Sequence, residues 1–373
     1  MKIDRRSFLS FAIGGAAGTA LSPLPWKLID DLSIWSQNWD WTPMPQNGEA
    51  SYVNSTCTLC PGGCGISVRL IDDRVVKIEG RSGHPVSNGG ICPLGQSGPQ
   101  LLYGPTRIKT PIKKVDGGWR NISWNAAIEE IAAKLTELRT NGMSHAVACI
   151  SEADSGTIPE LWNRLLTVFG SANYIRTPSI QDNYELALYL TQGVRARPGF
   201  DLNQCDYILS FGSGLIEGWQ SPVFMLQGKS ALVENGGKMG QIEPRLSKTA
   251  AKADNWVAAN PGTEVALALG IGHVIIKEGL YNRSFVADYT AGFEDYKKLV
   301  LNGYAPSAVS KTTGVKVDSI TGLARDFARA AKPLAICGRG AGSSSGTLQD
   351  FMAVHMLNAL AGNLNRTGGL FAV

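Results

Sequence analysis

The sequence predicts an α/β protein in which doubly wound parallel-sheet domains follow a small β-rich domain. Three observations lead there. From Ser123 onward, short apolar runs alternate with stretches of helical period, as a parallel sheet covered by helices requires. Ahead of that point, residues 66–70 and 75–78 alternate apolar and polar positions around Asp72-Asp73, the pattern of a β-hairpin. Glycine-rich or polar turns close several of the later strands, where such sheets bind ligands.

Composition narrows the class. With 373 residues, 44% hydrophobic and 18% charged, the chain can bury a large core and has room for two or three domains. Its formal net charge of +4 comes without a long basic run, so nucleic acid is not an expected partner.

Residues 1–30 read as a twin-arginine export signal. Asp4-Arg5-Arg6-Ser7-Phe8-Leu9 carries the arginine pair, and a Gly/Ala-rich apolar run follows over residues 8–21. That run is shorter than the roughly 20 apolar residues that span a bilayer. An uncleaved signal would still serve as an anchor, and Gly18-Thr19-Ala20 is a passable cleavage site. Export of an already folded protein to the periplasm, or to the outer face of the membrane, is expected. Residues 31–50 form a linker with Trp35, Trp39 and Trp41, which either packs across its own domain or offers an aromatic surface to a partner subunit.

Residues 51–111 hold the most specific pattern in the chain. Cys57, Cys60 and Cys64 fall within eight residues on a Pro/Gly-rich loop, and Cys92 follows 27 residues after Cys64. Four thiolates so arranged can converge on one cubane, with small residues letting the backbone donate N–H groups to sulfur. The reading is a [4Fe–4S] site; a structural zinc site and a pair of disulfides are the alternatives. Cys149, Cys205 and Cys337 lie in or beside apolar runs and read as buried free thiols. His84, before Pro85, is either a surface loop residue or a group that tunes the cluster.

The remainder divides into a first α/β part at 112–180, a Rossmann-like domain at 181–331 and a return to the first part at 332–373. Helices are expected over 127–138, 158–169, 184–190, 223–234, 264–278, 317–330 and 348–361. Strands are expected over 146–150, 207–211, 239–242 and 334–336. Four loops follow strands or open helices: 211–214, 241–247, 260–264 and 337–342. Together they favour a phosphate-bearing dinucleotide, with Arg245 as a bidentate anion contact and the 260–264 turn presenting helix N–H groups. His273 lies on an apolar helix and reads as a core residue.

These motifs resemble the molybdopterin oxidoreductase (dimethyl sulfoxide reductase) superfamily from Tyr52 to the C-terminus. The resemblance is carried by Cys57-Thr-Leu-Cys60-Pro-Gly-Gly-Cys64, Gly83-His84-Pro85-Val86, Ile91-Cys92-Pro93-Leu94-Gly95-Gln96, residues 105–111, Glu243-Pro244-Arg245, residues 260–268 and residues 362–369. It implies a [4Fe–4S] cluster on the four cysteines and two molybdopterin guanine dinucleotides held by the α/β domains. Gly212, Ser213, Glu243, Arg245, Ser247, Gly262, Thr263 and Glu264 match the family's dinucleotide loops.

Three departures qualify it. Leu94 stands two residues after Cys92, where members with an active metal commonly place Lys or Arg between cluster and pterin. The window at 177–193, which matches the family's molybdenum ligand, holds no cysteine, leaving Asp182 and Ser179 as candidate oxygen ligands or plain helix caps. The chain stops at Val373 without the family's C-terminal β domain, as a fragment, a split gene product or a natural truncation would.

The first two departures, with the tryptophan-rich start, resemble members that keep the fold without a working molybdenum site. The resemblance then implies an iron–sulfur subunit of a periplasm-facing respiratory complex. Its partners would be a multihaem cytochrome c subunit, a ferredoxin-like iron–sulfur subunit and an integral membrane quinone-binding subunit. Electrons would pass from periplasmic cytochrome c to menaquinone. A catalytic molybdenum or tungsten subunit of a polysulfide or thiosulfate reductase is the alternative, and a redox-inert structural subunit is a third.

Overall fold

The computed structural model describes residues 5–21, 48–60, 62–152, 156–338 and 347–373. The chain divides into two compact units, residues 1–53 with 68–77, and residues 54–67 with 78–373. In the first unit, residues 5–21 form helix α1 (Arg5–Leu21), which takes in the arginine pair. Among the described residues no helix is long and apolar enough to cross a membrane. Trp35, Trp39 and Trp41 lie outside the described residues. The expected hairpin is present: Asp72 turns the chain with φ of 50°, and its carboxylate accepts the Glu49 N–H at 2.8 Å.

Strands β1 (Ala50–Thr56), β2 (Gly65–Ile71) and β3 (Arg74–Gly80) form one sheet in that order. Short helices α2 (Pro93–Gln96) and α3 (Gly98–Leu102) follow. Next comes an antiparallel hairpin of β4 (Ile112–Val115) and β5 (Gly118–Asn121) that the periodicity does not predict. Its signal is the Asp116-Gly117 pair, whose φ values of 50° and 80° are those a two-residue hairpin turn demands.

Ser123 caps helix α4 (Trp124–Thr140), its hydroxyl accepting the Ala126 N–H at 3.2 Å. Strand β6 (Cys149–Ser151), helix α5 (Thr157–Phe169) and strand β7 (Tyr174–Arg176) then make a two-stranded parallel sheet. The strand expected over 146–150 starts later because residues 144–146 close a 3-10 turn, Val147 N–H reaching Ser144 O.

The core lies in the following stretch. Helix α6 (Ile180–Gln192) and strand β8 (Pro198–Phe200) lead to β9 (Tyr207–Phe211), α7 (Pro222–Glu234), β10 (Lys238–Ile242), α8 (Lys248–Ala251) and β11 (Asn255–Val257). Helices α9 (Glu264–Lys277), α10 (Arg283–Tyr289), α11 (Phe293–Gly303), α12 (Pro306–Thr313) and α13 (Val317–Arg329) precede β12 (Pro333–Cys337), α14 (Leu348–Ala361) and β13 (Leu370–Ala372). Four strands form a parallel sheet in the order β11-β10-β9-β12. Every residue of β9 and β12 is buried, as a parallel sheet covered on both faces requires.

This order corrects the expected domain division. Residues 332–373 do not return to the sheet of 112–180; β12 pairs with β9, Leu334 opposite Ile208, and completes the Rossmann-like sheet. An all-apolar strand needs cover on both faces, and the side chain of Asn358 on α14 clasps β12 by accepting from Ala335 N and donating to Ala335 O, both at 2.8 Å. The chain runs outward through β9, β10 and β11, then crosses to the other side of β9. That reversal makes the β9/β12 end a topological switch point. His273 is a core residue, buried on α9 with Nδ1 2.9 Å from Val300 O.

Candidate metal centre and strand-end crevice

The cysteine loop is closed by its own backbone. Cys57 follows β1 and Cys64 precedes β2, and Cys57 N–H donates to Cys64 O at 2.8 Å. Gly62 N–H points at Cys60 Sγ, 3.4 Å away, and a Cβ on Gly62 would stand 3.2 Å from that sulfur. Cys92 caps α2, its Sγ accepting the Gly95 N–H at 3.4 Å, while a Cβ on Gly95 would lie 3.7 Å from Cys57 Sγ. Gly95 therefore brings Cys57 and Cys92 to one place. Both positions are tight for a side chain: a Cβ on Gly62 would stand 3.0 Å from Ser221 Oγ, and one on Gly95 2.9 Å from Ile91 Cγ1.

Burial pushes the Cys64 thiol above its ordinary value; the nearby Ser221 side chain pulls the other way, while Cys60, Cys57 and Cys92 add like-charge repulsion. All seven cysteines are free thiols. Among the described residues, no three or more His, Cys, Asp or Glu are grouped to hold a single metal ion. Four cysteines, with N–H groups aimed at the sulfurs of Cys60 and Cys92, fit a multi-iron cluster. His84 holds this loop through Nδ1, which accepts from Gly65 N at 3.2 Å and Val86 N at 3.3 Å.

Leu94 lies on α2, about half exposed, with no polar side-chain group to offer the cysteine loop. Asp182 and Ser179 form the capping box of α6, Ser179 N–H donating to Asp182 Oδ2 at 2.8 Å, and Asp182 also pairs with Arg176. Burial works to raise the Asp182 carboxyl, but the bonds from Arg176 and Ser179 prevail and hold it below the usual range.

The strand-end crevice collects the dinucleotide residues. Phe211 and Ile242 are register partners, so Gly212, with φ of 68°, and Glu243 sit side by side, Gly212 N–H donating to Ile242 O at 2.9 Å. The Ser213 hydroxyl is buried without a partner. Glu243 is buried too; Oε1 accepts from Ser247, which also caps α8, while Oε2 has no partner. Gly262, with φ of 78°, and Thr263, bonded to Asn260 O at 2.6 Å, lead into α9, where buried Glu264 leaves Oε2 unpaired. At the end of β12, the Cys337 thiol is pushed up first by burial and then by the charges of Asp350 and Glu264.

An unpaired buried acceptor costs about 1–3 kcal/mol, so several at one edge call for a donor-rich ligand. Ribose hydroxyls and guanine N–H groups fit them. Arg245 is exposed at the rim, and residues 339–346 of the fourth loop lie outside the described residues. Two contributors were missed. Gln241, whose Nε2 donates to Ser213 O at 3.2 Å and whose Oε1 is unpaired, was signalled by a polar residue inside a buried strand. Ser221 had no signal beyond an ordinary Ser-Pro helix start.

The comparisons with known proteins agree with this geometry. The model for the molybdopterin oxidoreductase Fe4S4 domain matches residues 50–104, and that for molybdopterin oxidoreductase matches residues 107–373. The chain belongs to the molybdopterin oxidoreductase family. It is 36% identical to the menaquinone reductase molybdopterin-binding-like subunit of Nitratidesulfovibrio vulgaris, over 100% of this chain and 53% of the relative. It is 32% identical to the molybdopterin-containing subunit of thiosulfate reductase from Salmonella typhimurium, over 100% of this chain and 48% of the relative. The chain spans about half the length of both relatives. Acetylene hydratase from Pelobacter acetylenicus shares the fold, with a TM-score of 0.71 at 23% identity over 86% of this chain and 44% of that one.

Proposed function

We propose that this molybdopterin oxidoreductase-family chain is the iron–sulfur subunit of a periplasm-facing membrane respiratory complex that passes electrons from periplasmic cytochrome c to menaquinone. The observation that carries the reading is the contrast between a backbone-closed cysteine loop with N–H groups aimed at sulfur and a ligand window whose two oxygen candidates are already engaged. Cys57, Cys60, Cys64 and Cys92 would hold a [4Fe–4S] cluster, which supplies one-electron chemistry when bound. Gly62 and Gly95 N–H groups donate toward the sulfurs of Cys60 and Cys92, and burial at Cys64 keeps water from that residue. Leu94 brings no charge to that site, while Arg176 and the α6 N-terminus occupy Asp182. Likeness to a menaquinone reductase subunit supports the quinone side, and the twin-arginine sequence supports export. A multihaem cytochrome, a ferredoxin-like subunit and a membrane quinone-binding subunit are the proposed partners.

The second reading is a molybdenum or tungsten reductase, favoured by the unpaired acceptors of the crevice and by the thiosulfate reductase relative. Both are tested by iron, molybdenum and tungsten content per chain in the complex purified from its native membrane. The first expects about four irons attributable to this chain, as one cubane on four cysteine ligands requires, and neither heavier metal. Near-stoichiometric molybdenum or tungsten supports the second and overturns the first.

A further inference from the structure

Ser221 precedes α7 at the position where a serine normally caps a helix, yet its side chain makes no cap bond. The hydroxyl instead faces the cysteine loop. Its oxygen is shut off from solvent and has no hydrogen-bond partner among the described residues. A Cβ on Gly62, between Cys60 and Cys64, would meet that oxygen at 3.0 Å and Cys60 Sγ at 3.2 Å.

The rest of α7 holds it there. Gln227 Nε2 donates to Ser87 O at 2.8 Å, and the Ser87 hydroxyl accepts from Gly65 N, next to Cys64, at 3.2 Å. Val223 packs so closely on Gly90 that a Cβ there would stand 2.5 Å from it. On the other side, Gly214 O accepts from Glu217 N at 2.9 Å and from Trp219 N at 3.1 Å. The turn that carries Ser213 is thus bonded to the segment that ends in Ser221.

Resting on the iron–sulfur reading above, we propose that Ser221 is a positioning residue that raises the reduction potential of the cluster by donating its hydroxyl to a ligating sulfur of the Cys57–Cys64 loop. Reduction adds one electron to the thiolate-bound centre, and the Ser221 proton stays on its oxygen. A donor beside the ligating sulfur stabilises the more negative state, so removing it disfavours reduction.

The test is a dithionite redox titration followed by electron paramagnetic resonance on the purified full chain, comparing wild type, Ser221→Ala and Ser221→Thr at measured iron content. The expected result is a fall of about tenfold in the reduction equilibrium of Ser221→Ala, about 59 mV for one electron, with Ser221→Thr close to wild type. Iron lost from Ser221→Ala but kept in Ser221→Thr also supports a bond from the hydroxyl to a ligating sulfur. An unchanged potential in Ser221→Ala, or equal loss of iron in both variants, overturns the assignment. A wild-type chain without iron would overturn the iron–sulfur reading itself, which is a different result.

Discussion

The cysteine loop and the strand-end crevice are built by opposite routes. In the loop, three of the four ligands lie between positions 57 and 64, and local glycines 62 and 95 aim N–H groups at sulfur. In the crevice, Ser213, Glu243 and Glu264 come from three separate turns and are brought to one edge by the strand order β11-β10-β9-β12. The N–H groups of Gly62 and Gly95 are met by cysteine sulfur, whereas Glu243 and Glu264 in the crevice keep buried acceptors unpaired. A site satisfied from inside tolerates little change without losing its metal, while a site left unpaired shows its purpose when ligand is added.

The largest effect expected from that difference is at Cys64. Cys64→Ala should abolish iron binding altogether, read by iron content and the loss of visible absorbance, while the parallel sheet keeps its far-ultraviolet dichroism. Retention of four irons would mean that Cys64 is not a ligand. Glu243→Gln comes next: it keeps an oxygen to accept from Ser247 but replaces the unpaired oxygen with a donor. Guanosine diphosphate binding, by calorimetry, should weaken at least about tenfold, roughly 1.4 kcal/mol, with little change in melting temperature. Equal affinity in both proteins would remove Glu243 from the crevice's recognition set.

The smallest effect is at Asp182, which belongs to neither site. Asp182→Ala should lower stability by about 1 kcal/mol through the lost capping box and leave metal content unchanged. Because the folded carboxyl is held below its ordinary value, its contribution is present above the unfolded value of about 3.9 and is lost as pH falls through the folded one. Wild type and variant should therefore converge in urea titrations below about pH 4. A gap that persists there would assign the loss to packing.

Much of this was readable in the chain itself. The cysteine spacing and the burial of β9 and β12 follow from residue type and period, since a run such as Tyr207–Phe211 has no stable place but a covered sheet. The stretch carrying α10, α11 and α12 was not read as helix, because these helices are 7, 11 and 8 residues long and too short for a clear period. Asp116-Gly117 announced a hairpin that hydrophobic periodicity alone passes over.

Residues close in sequence determined the cysteine spacing, the strand–helix alternation and the polar turns that close the strands, because each depends on neighbours along the chain. Tertiary structure alone decided that β12 lies beside β9, that Asp182 is occupied by Arg176, and that Ser221 turns from its own helix toward the cysteine loop. Those outcomes depend on which buried surfaces and polar groups find each other across long loops, and spacing along the chain carries no record of that choice.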